Sequence, residues 1–186
     1  MPPKVKVTKE EIIQAAVGIV RAQGASALNA RTVAAALNCS TQPVFSNFET
    51  MEQLQQAVVA QADQICNDYI QKEIASGAYP AYKASGMAYI RFAKEEKELF
   101  KLLYMRDRRA EDDPDKSEIN EQMTAVVEDN TGLTGDRAKL FHLEMWTYVH
   151  GIATMLATGF LDLEWDLISS MITDAYQGMR KLREME

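Results

Sequence analysis

The stretch from Asn29 to Leu54, NARTVAAALNCSTQPVFSNFETMEQL, decides the fold of this chain of 186 residues. It is typical of two short helices joined by a tight turn and followed at once by the capped start of a third helix. Small and apolar residues lie on one side of the first short helix, where they allow a second helix to cross closely. Asn38 and Cys39 interrupt that pattern and mark the turn.

The second short helix hides Val44 and Phe48, which stand four residues apart and share one face. We expect the side chain of Ser40 or Thr41 to cap this helix by accepting a hydrogen bond from a free backbone N–H. Its outer face is rich in amides, and Gln and Asn side chains can read adenine edges in the major groove. The pair is therefore predicted to be a helix-turn-helix motif that binds DNA.

The DNA-binding prediction assigns the polar residues to different roles. Gln42, Ser46 and Asn47 are the candidates for base edges, and Thr41 and Pro43 for thymine methyl groups. Phosphates attract cationic side chains and helix N-termini. The residues predicted to hold phosphates are Lys4, Lys6, Lys9, Asn29, Arg31 and Thr32, together with the start of the helix that follows Thr50.

The charge distribution favours the same end of the chain. The net charge is −7, but residues 1–50 carry five basic against three acidic side chains, a local charge of +2. The remaining 136 residues carry 15 basic and 24 acidic side chains, which gives −9. A weakly basic N-terminal part on an acidic body orients a protein at DNA, and ordinary scatter of surface charge is the alternative explanation.

Helical periodicity dominates the sequence, and no alternating strand pattern followed by a hairpin turn occurs in it. We therefore predict an all-α fold of about nine helices. Thr8 and Glu11 form a capping box at the first helix and Gly24 ends it, while Thr50 and Gln53 cap the fourth. Apart from the two short helices, the predicted ranges are 9–23, 51–75, 81–94, 97–105, 117–129, 136–158 and 164–183, with 106–115 as a solvated loop.

Two sets of apolar residues in the second half carry separate predictions. Methionine and aromatic side chains suit an irregular effector cavity, although an ordinary core has the same periodicity. The cavity candidates are Met87, Tyr89, Phe92, Leu103, Met123, Phe141, Met145 and Tyr148.

The eighth and ninth predicted helices have wider apolar faces than one body requires, which predicts a homodimer through a four-helix seam. The seam candidates are Ile152, Leu156, Ile168, Met171, Ile172 and Ala175.

Other classes of site find little support. Cys39 and Cys66 are expected to be reduced thiols of a cytoplasmic protein, with a redox switch at Cys39 as the alternative. His142 and His150 stand eight residues apart rather than four, so neither a metal site nor any cofactor is predicted. The sequence has no Glu-x-x-His pair, no glycine-rich phosphate loop, no signal peptide and no run long enough to span a bilayer. We therefore expect no enzyme and no membrane association.

A longer series of motifs surrounds the two short helices. The series is Thr8-Lys9-Glu10-Glu11-Ile12-Ile13, Ala15-Ala16, Gly24, Val33-Ala34 and Phe45-x-x-Phe48. In order and spacing it resembles the TetR family of transcriptional regulators over roughly residues 7–59. Tyr89-Ile90-Arg91-Phe92-Ala93 with Leu99-Phe100, and Trp146 with His150-Gly151, more loosely resemble the ligand-binding and dimerisation half of that family.

This resemblance implies a DNA-binding domain over 1–50 and a helical ligand-binding and dimerisation domain over 51–186. It also implies a repressor that binds a palindromic DNA operator as a homodimer and responds to a small-molecule effector. Family members usually carry tyrosine at Phe45 and lysine at Met51, and both positions commonly contact the DNA backbone, which makes Phe45 a DNA-binding candidate. The alternative functions are a ligand-binding or interaction protein of the same fold with weak or lost DNA binding, and then a helical-bundle enzyme.

Overall fold

The computed structural model describes residues 7–106 and 125–184, and every regular element within these ranges is helical. This finding confirms the predicted all-α fold. α7 is described over residues 125–131, and a short 3-10 turn at Ala25–Ala27 follows the first helix. The other helices are α1 Lys9–Gln23, α2 Ala30–Ala36, α3 Gln42–Asn47, α4 Met51–Ser76, α5 Ala81–Glu95, α6 Lys97–Tyr104, α8 Gly135–Thr158 and α9 Trp165–Glu184.

The predicted helix ends that fall on described residues agree with these bounds to within two residues. The predicted loop at 106–115, apart from its first residue, lies outside the described residues, as does the predicted start of the seventh helix. In the part of the chain that is described, no helix combines the length and the apolar character needed to cross a bilayer.

α1 begins and ends as its sequence predicts. The Thr8 backbone N–H donates to the Glu11 carboxylate at 2.8 Å, and the Thr8 hydroxyl accepts from the Glu11 N–H at 3.2 Å. The bonds from Thr8 hold the pKa of Glu11 below its ordinary value. Gly24 ends the helix at φ +82°, and a Cβ there would lie 3.0 Å from the Glu98 carboxylate. The positive φ therefore favours glycine, and a Cβ at this position would require the Glu98 carboxylate to shift.

The predicted side-chain cap of α3 is wrong. Thr41 is the N-cap residue, but its side chain makes no capping hydrogen bond. A capping side chain bonds to the second or third helical N–H. The second residue is Pro43, which has no N–H, and the third, Val44, donates to the Thr41 carbonyl at 3.1 Å. Pro43 therefore removes one of the two donors that a Thr41 cap could use, and the Thr41 carbonyl accepts from the other.

α4 starts with half of its predicted reciprocal cap. The Thr50 hydroxyl accepts from the Gln53 N–H at 3.3 Å, as the sequence predicts. The Gln53 side chain, however, accepts from the Glu49 N–H at 3.0 Å, one residue before the expected bond to Thr50. The two bonds still order the turn that joins α3 to α4.

The described residues divide into two compact units. The first unit contains residues 7–67 and 96–106, which include α1 to α3, the first part of α4, and α6, and α6 packs against α1. The second contains residues 68–95 and 125–184, which include α5 and α7 to α9. The described part of the predicted DNA-binding domain lies in the first unit, and its boundary at residue 50 stays a prediction.

Each unit has its own apolar core. In the second unit α5 and α8 approach closely, because a Cβ on Gly86 would lie 3.4 Å from a Val149 methyl group. The fully buried residues of the first unit include Ile12, Ala16, Val20, Val33, Val44, Leu54, Leu99 and Phe100. Those of the second include Ala84, Met87, Ala88, Ile90, Phe92, Ala138, Phe141, Ala153 and Ile168.

Candidate DNA-binding surface and effector region

α3 has a buried side and an exposed side. Val44 is fully buried and Phe48 is 3% exposed, so these two residues anchor the helix in the first unit. Gln42 and Ser46 are exposed, and the ring of Phe45 is 51% exposed. A large exposed aromatic ring beside an exposed amide is a surface that a nucleic acid can cover.

The polar side chains of α3 are not equally available. The Ser46 hydroxyl donates to the Gln42 carbonyl at 2.9 Å, and the Asn47 side-chain amide donates to the Pro43 carbonyl at 2.8 Å. Asn47 is half-buried, whereas Gln42 is exposed. Of the three candidates for base edges, Gln42 therefore presents the least constrained side-chain amide. Thr41 and Pro43 are half-buried at the start of the helix.

The start of α2 is held together by its own side chains. The Asn29 side chain accepts from the backbone N–H groups of Arg31 at 3.0 Å and Thr32 at 3.1 Å. The Thr32 hydroxyl accepts from the Asn29 N–H at 3.1 Å and donates to the Ala27 carbonyl at 2.8 Å. Asn29 and Thr32 thus complete a capping box, while the exposed Arg31 side chain is the group best able to reach a phosphate.

Lys9 is positioned by an aromatic ring. Its Nζ lies 5.1 Å from the centroid of the Phe48 ring, within the range of a cation–π contact, and the residue is exposed. The same ring anchors the C-terminal end of α3 in the core, so the ammonium group is held close to that end of the helix. Lys4 and Lys6, the other cationic candidates of the N-terminal segment, lie outside the described residues.

The N-terminus of α4 already carries a negative charge. The Glu52 carboxylate accepts from its own backbone N–H and from the Thr50 hydroxyl, and these bonds lower its pKa. A phosphate at this helix end would have to displace or neighbour that carboxylate. Met51 is half-buried beside it. The end of α4 is therefore a poorer phosphate site than an N-terminus without an acidic residue.

Most of the effector candidates are core residues. Met87, Phe92 and Phe141 are fully buried, and Met145 and Tyr89 are nearly so. Tyr148 is half-buried. Leu103 is buried in the first unit, whereas the other described candidates belong to the second, and Met123 lies outside the described residues. The described candidates of the second unit all come from α5 and α8.

Two tyrosine–histidine pairs connect α5 to α8. Tyr89 is a predicted cavity candidate, but neither pair was predicted from the sequence. The Tyr82 hydroxyl lies 3.0 Å from His142 Nδ1, and the Tyr89 hydroxyl lies 2.9 Å from His150 Nδ1. Desolvation lowers the pKa of both histidines and raises that of Tyr82. The histidines are therefore neutral at pH 7. The spacings of seven residues on α5 and eight on α8 were the available signal.

The four isoleucine and leucine candidates for a dimer seam are used inside the chain. Ile152, Leu156, Ile168 and Ile172 are at most 4% exposed, so they offer no surface to a second copy. Met171 and Ala175 are half-buried. The exposed apolar residues of α8 and α9 are others, namely Leu140, Leu143, Trp146, Met155, Leu167 and Leu182.

The remaining candidates are the two cysteines and a metal site. Cys39 is half-buried, and Cys66 is buried with a thiol 3.7 Å from the Tyr104 hydroxyl. Desolvation raises the pKa of Cys66 to about 12, which opposes thiolate chemistry there. Across residues 7–106 and 125–184, no three His, Cys, Asp or Glu side chains are grouped to hold a metal ion.

Solved structures share this architecture. A TetR-like transcriptional regulator from Rhodococcus sp. RHA1 is 14% identical, with a TM-score of 0.70 over 96% of this chain and 98% of that chain. A TetR family member from Streptomyces coelicolor A3 is 19% identical, with a TM-score of 0.63 over 90% and 96% of the two chains. The multidrug binding protein EbrR in complex with malachite green is 17% identical, with a TM-score of 0.64 over 93% and 98%. At these identities the likeness concerns the fold alone. A search among curated proteins finds no match.

The fold is thus the one seen in TetR-like transcriptional regulators. The sequence independently matches the family model described as Tetracyclin repressor-like, C-terminal domain, over residues 82–174, which is half of the chain. The chain therefore belongs to the TetR family, and the resemblance inferred from its motifs is confirmed.

Proposed function

We propose that this protein is a cytoplasmic, homodimeric repressor that binds a palindromic DNA operator and releases it when a small molecule binds. The observation that carries the proposal is the two-sided α3: Val44 and Phe48 fix the helix, and Gln42 and Phe45 face outward. Residues 1–50 act as the DNA-binding domain and residues 51–186 bind the effector and form the dimer.

We assign roles in DNA binding from how exposed each side chain is and from whether it already makes a hydrogen bond within the chain. Gln42 reads a base edge, with Ser46 and the half-buried Asn47 in supporting roles. The cations of Lys9 and Arg31 hold phosphates. Phe45 supplies apolar contact in place of a hydroxyl. The N-terminal lysines Lys4 and Lys6 add phosphate contacts from the preceding segment.

The dimer forms through the outer faces of α8 and α9 rather than through the buried residues beneath them. Leu143, Trp146 and Met155 are exposed on α8. On α9 the exposed Leu167, Gly178 and Leu182 and the half-buried Met171 and Ala175 lie on one face of the helix. A Cβ on Gly151 would meet no atom of the chain within 4 Å, which leaves room for a partner helix. These exposed apolar residues support a two-fold four-helix seam.

Regulation requires two states of the dimer. DNA binding needs the two reading helices about 34–36 Å apart, one turn of the double helix, so that both enter the major groove. An effector that prefers another spacing lowers DNA affinity by that preference and no more. We place the effector among α5, α7 and α8. Malachite green, the ligand named for EbrR, is a suitable first probe.

A mobility-shift assay tests the proposal. DNA selected from random oligonucleotides, and DNA upstream of the gene, should be shifted at low ionic strength and released as salt is raised. The second candidate, a protein of this fold with weak or lost DNA binding, is favoured by the Glu52 carboxylate at the α4 N-terminus and by Met51. Absence of any salt-sensitive shift for the full chain would decide for that candidate.

Two variants separate base reading from phosphate binding. We expect Gln42→Ala to reduce discrimination between operator variants by about 1–3 kcal/mol at one base position. Lys9→Ala should weaken all DNA sequences alike and flatten the salt slope by up to about one unit. The measurement is fluorescence anisotropy on an operator and its single-base variants across a salt series. An equal loss of discrimination in both variants would contradict these roles.

A further inference from the structure

Two consecutive glutamates stand where the chain passes from the second unit into the first. α5 ends at Glu95, and Glu96 is the non-helical residue before α6, with φ −114° and ψ 50°. A single residue therefore interrupts the helical path at the junction. The other passage, between Asn67 and Asp68, lies within the uninterrupted helix α4.

Glu95 is held by the second unit. Its carboxylate accepts a hydrogen bond from the Tyr69 hydroxyl at 2.8 Å, and Tyr69 lies in the part of α4 that belongs to that unit. The Tyr69 ring packs edge-on against the fully buried Phe92, with the ring centroids 5.7 Å apart. Because the ring is packed, the hydroxyl offers Glu95 a fixed donor.

Glu96 is held by the first unit. Its carboxylate accepts from Arg21 Nε at 2.7 Å, and the side chain of Glu96 is 13% exposed, whereas that of Arg21 is 47% exposed. Arg21 lies in the last turn of α1. Three residues later, Gly24 leaves the space that the Glu98 carboxylate uses. The start of α6 is thus fitted closely to the end of α1.

We propose that Glu95 and Glu96 are paired positioning residues that couple the end of α5 to the end of α1. Glu95 ties the junction to α4 through Tyr69, and Glu96 ties it to α1 through Arg21. A displacement of α5 then reaches the DNA-binding helices through one peptide link between two anchored side chains. The inference rests on the proposed function, because the displacement it transmits is the one that an effector causes.

The coupling is testable without DNA or effector by amide hydrogen exchange on the full-length protein. Arg21→Gln removes the partner of Glu96 from the first unit. We expect amides at residues 90–95, in the second unit, to exchange about two- to five-fold faster. Lys101→Gln is the matched control, because it removes a 2.6 Å ion pair with Glu98 inside the same unit but leaves Arg21 and Glu96 joined. It should leave residues 90–95 unchanged.

The reverse direction uses Tyr69→Phe, which removes only the hydroxyl that Glu95 accepts from. We expect faster exchange in the last turn of α1 and the first turn of α6, with residues 59–66 of α4 unchanged. Asp162→Asn is the control, since it breaks the 2.7 Å pair with Lys94 at the same end of α5 without touching Glu95. It should not alter exchange in α1.

The coupling would be overturned if faster exchange were confined to the unit that carries each substitution. It would also be overturned if the faster exchange in the other unit were accompanied by faster exchange at residues 59–66 of α4. Near-ultraviolet circular dichroism identifies a variant that has lost its packing. In that case Glu95→Gln or Glu96→Gln replaces it, with the same expected direction. The DNA-binding assay is separate: absence of an operator complex would refute the repressor while leaving the exchange result to stand.

Discussion

α3 and the α8–α9 pair both have one buried and one exposed side, but only in α3 does the sequence reveal which side is which. In α3 the buried Val44 and Phe48 are apolar, and the exposed Gln42 and Ser46 are polar. In α8 apolar residues lie on both sides, because Leu143 is 56% exposed while Ile152 is buried. The surface that we propose for DNA is polar and contrasts with the core. The surface that we propose for a second copy is apolar and resembles the core.

The largest expected effect distinguishes the two faces of α3. Phe48→Ala should lower the free energy of unfolding by about 3–5 kcal/mol, because it leaves a cavity in the first unit. Phe45→Ala changes a ring that is 51% exposed and should alter stability by no more than about 0.5 kcal/mol. Urea unfolding followed by circular dichroism measures both. Similar losses for the two phenylalanines would mean that α3 is packed on both sides.

The next prediction has a slightly smaller expected effect and concerns the two faces of α8. Leu143→Glu places a charge in the proposed seam and should raise the dimer dissociation constant about a hundred-fold, since a buried carboxylate lacks a partner there. Gln56→Glu is the control, because it adds the same charge at an exposed position of α4. Sedimentation equilibrium measures the constant. A monomeric wild-type chain, or a Leu143→Glu variant with unchanged association, would show that the exposed apolar face has another use.

The fold was predictable because the signals that delimit its helices are local. The capping box at Thr8 and the stop at Gly24 each act within a few residues, and both occur as predicted. The predicted Thr41 cap of α3 was wrong because Pro43 lacks a backbone N–H. This local effect outweighs the usual preference of threonine for the N-cap position. Helix ends need only neighbours, so one sequence suffices to predict them.

Parts of the site that depend on contact between distant residues could not be predicted. The Tyr82–His142 pair joins residues 60 positions apart, and the Arg21–Glu96 pair joins residues 75 apart. The spacing of the tyrosines and histidines marks them as candidates, but no local pattern identifies the distant partner in either pair. The same limit applied to the proposed dimer seam, where periodicity located an apolar helix but not the side that its own chain covers.

A smaller effect is expected at the N-terminus of α4, where the proposed DNA-binding region has Met51 in place of the family's usual lysine. Met51→Lys adds a cation and should strengthen operator binding several-fold, with a salt slope steeper by about 0.9. Glu52→Gln removes the carboxylate from the helix end and should strengthen binding less, with little change in slope. Anisotropy titrations over a salt series measure both. An unchanged affinity and an unchanged salt slope in Met51→Lys would place the end of α4 away from the phosphates.

The smallest effect concerns pH, which should act on the second unit and spare the first. Both histidines of the chain, His142 and His150, lie in the second unit, and desolvation holds their pKa values below the ordinary value of about 6.5. Between the folded and unfolded pKa values the unfolded chain binds more protons, so the free energy of unfolding falls as the pH is lowered through that window.

Trp146 and Trp165 are also confined to the second unit, so their fluorescence reports its urea midpoint. We expect that midpoint to fall between pH 7 and pH 5.5 in the wild type and to fall less in a His142→Gln variant. The histidine contributes the difference because its neutral ring is half-buried beside Tyr82 and must gain a charge there. An equal decline in both proteins would assign the pH dependence to other groups.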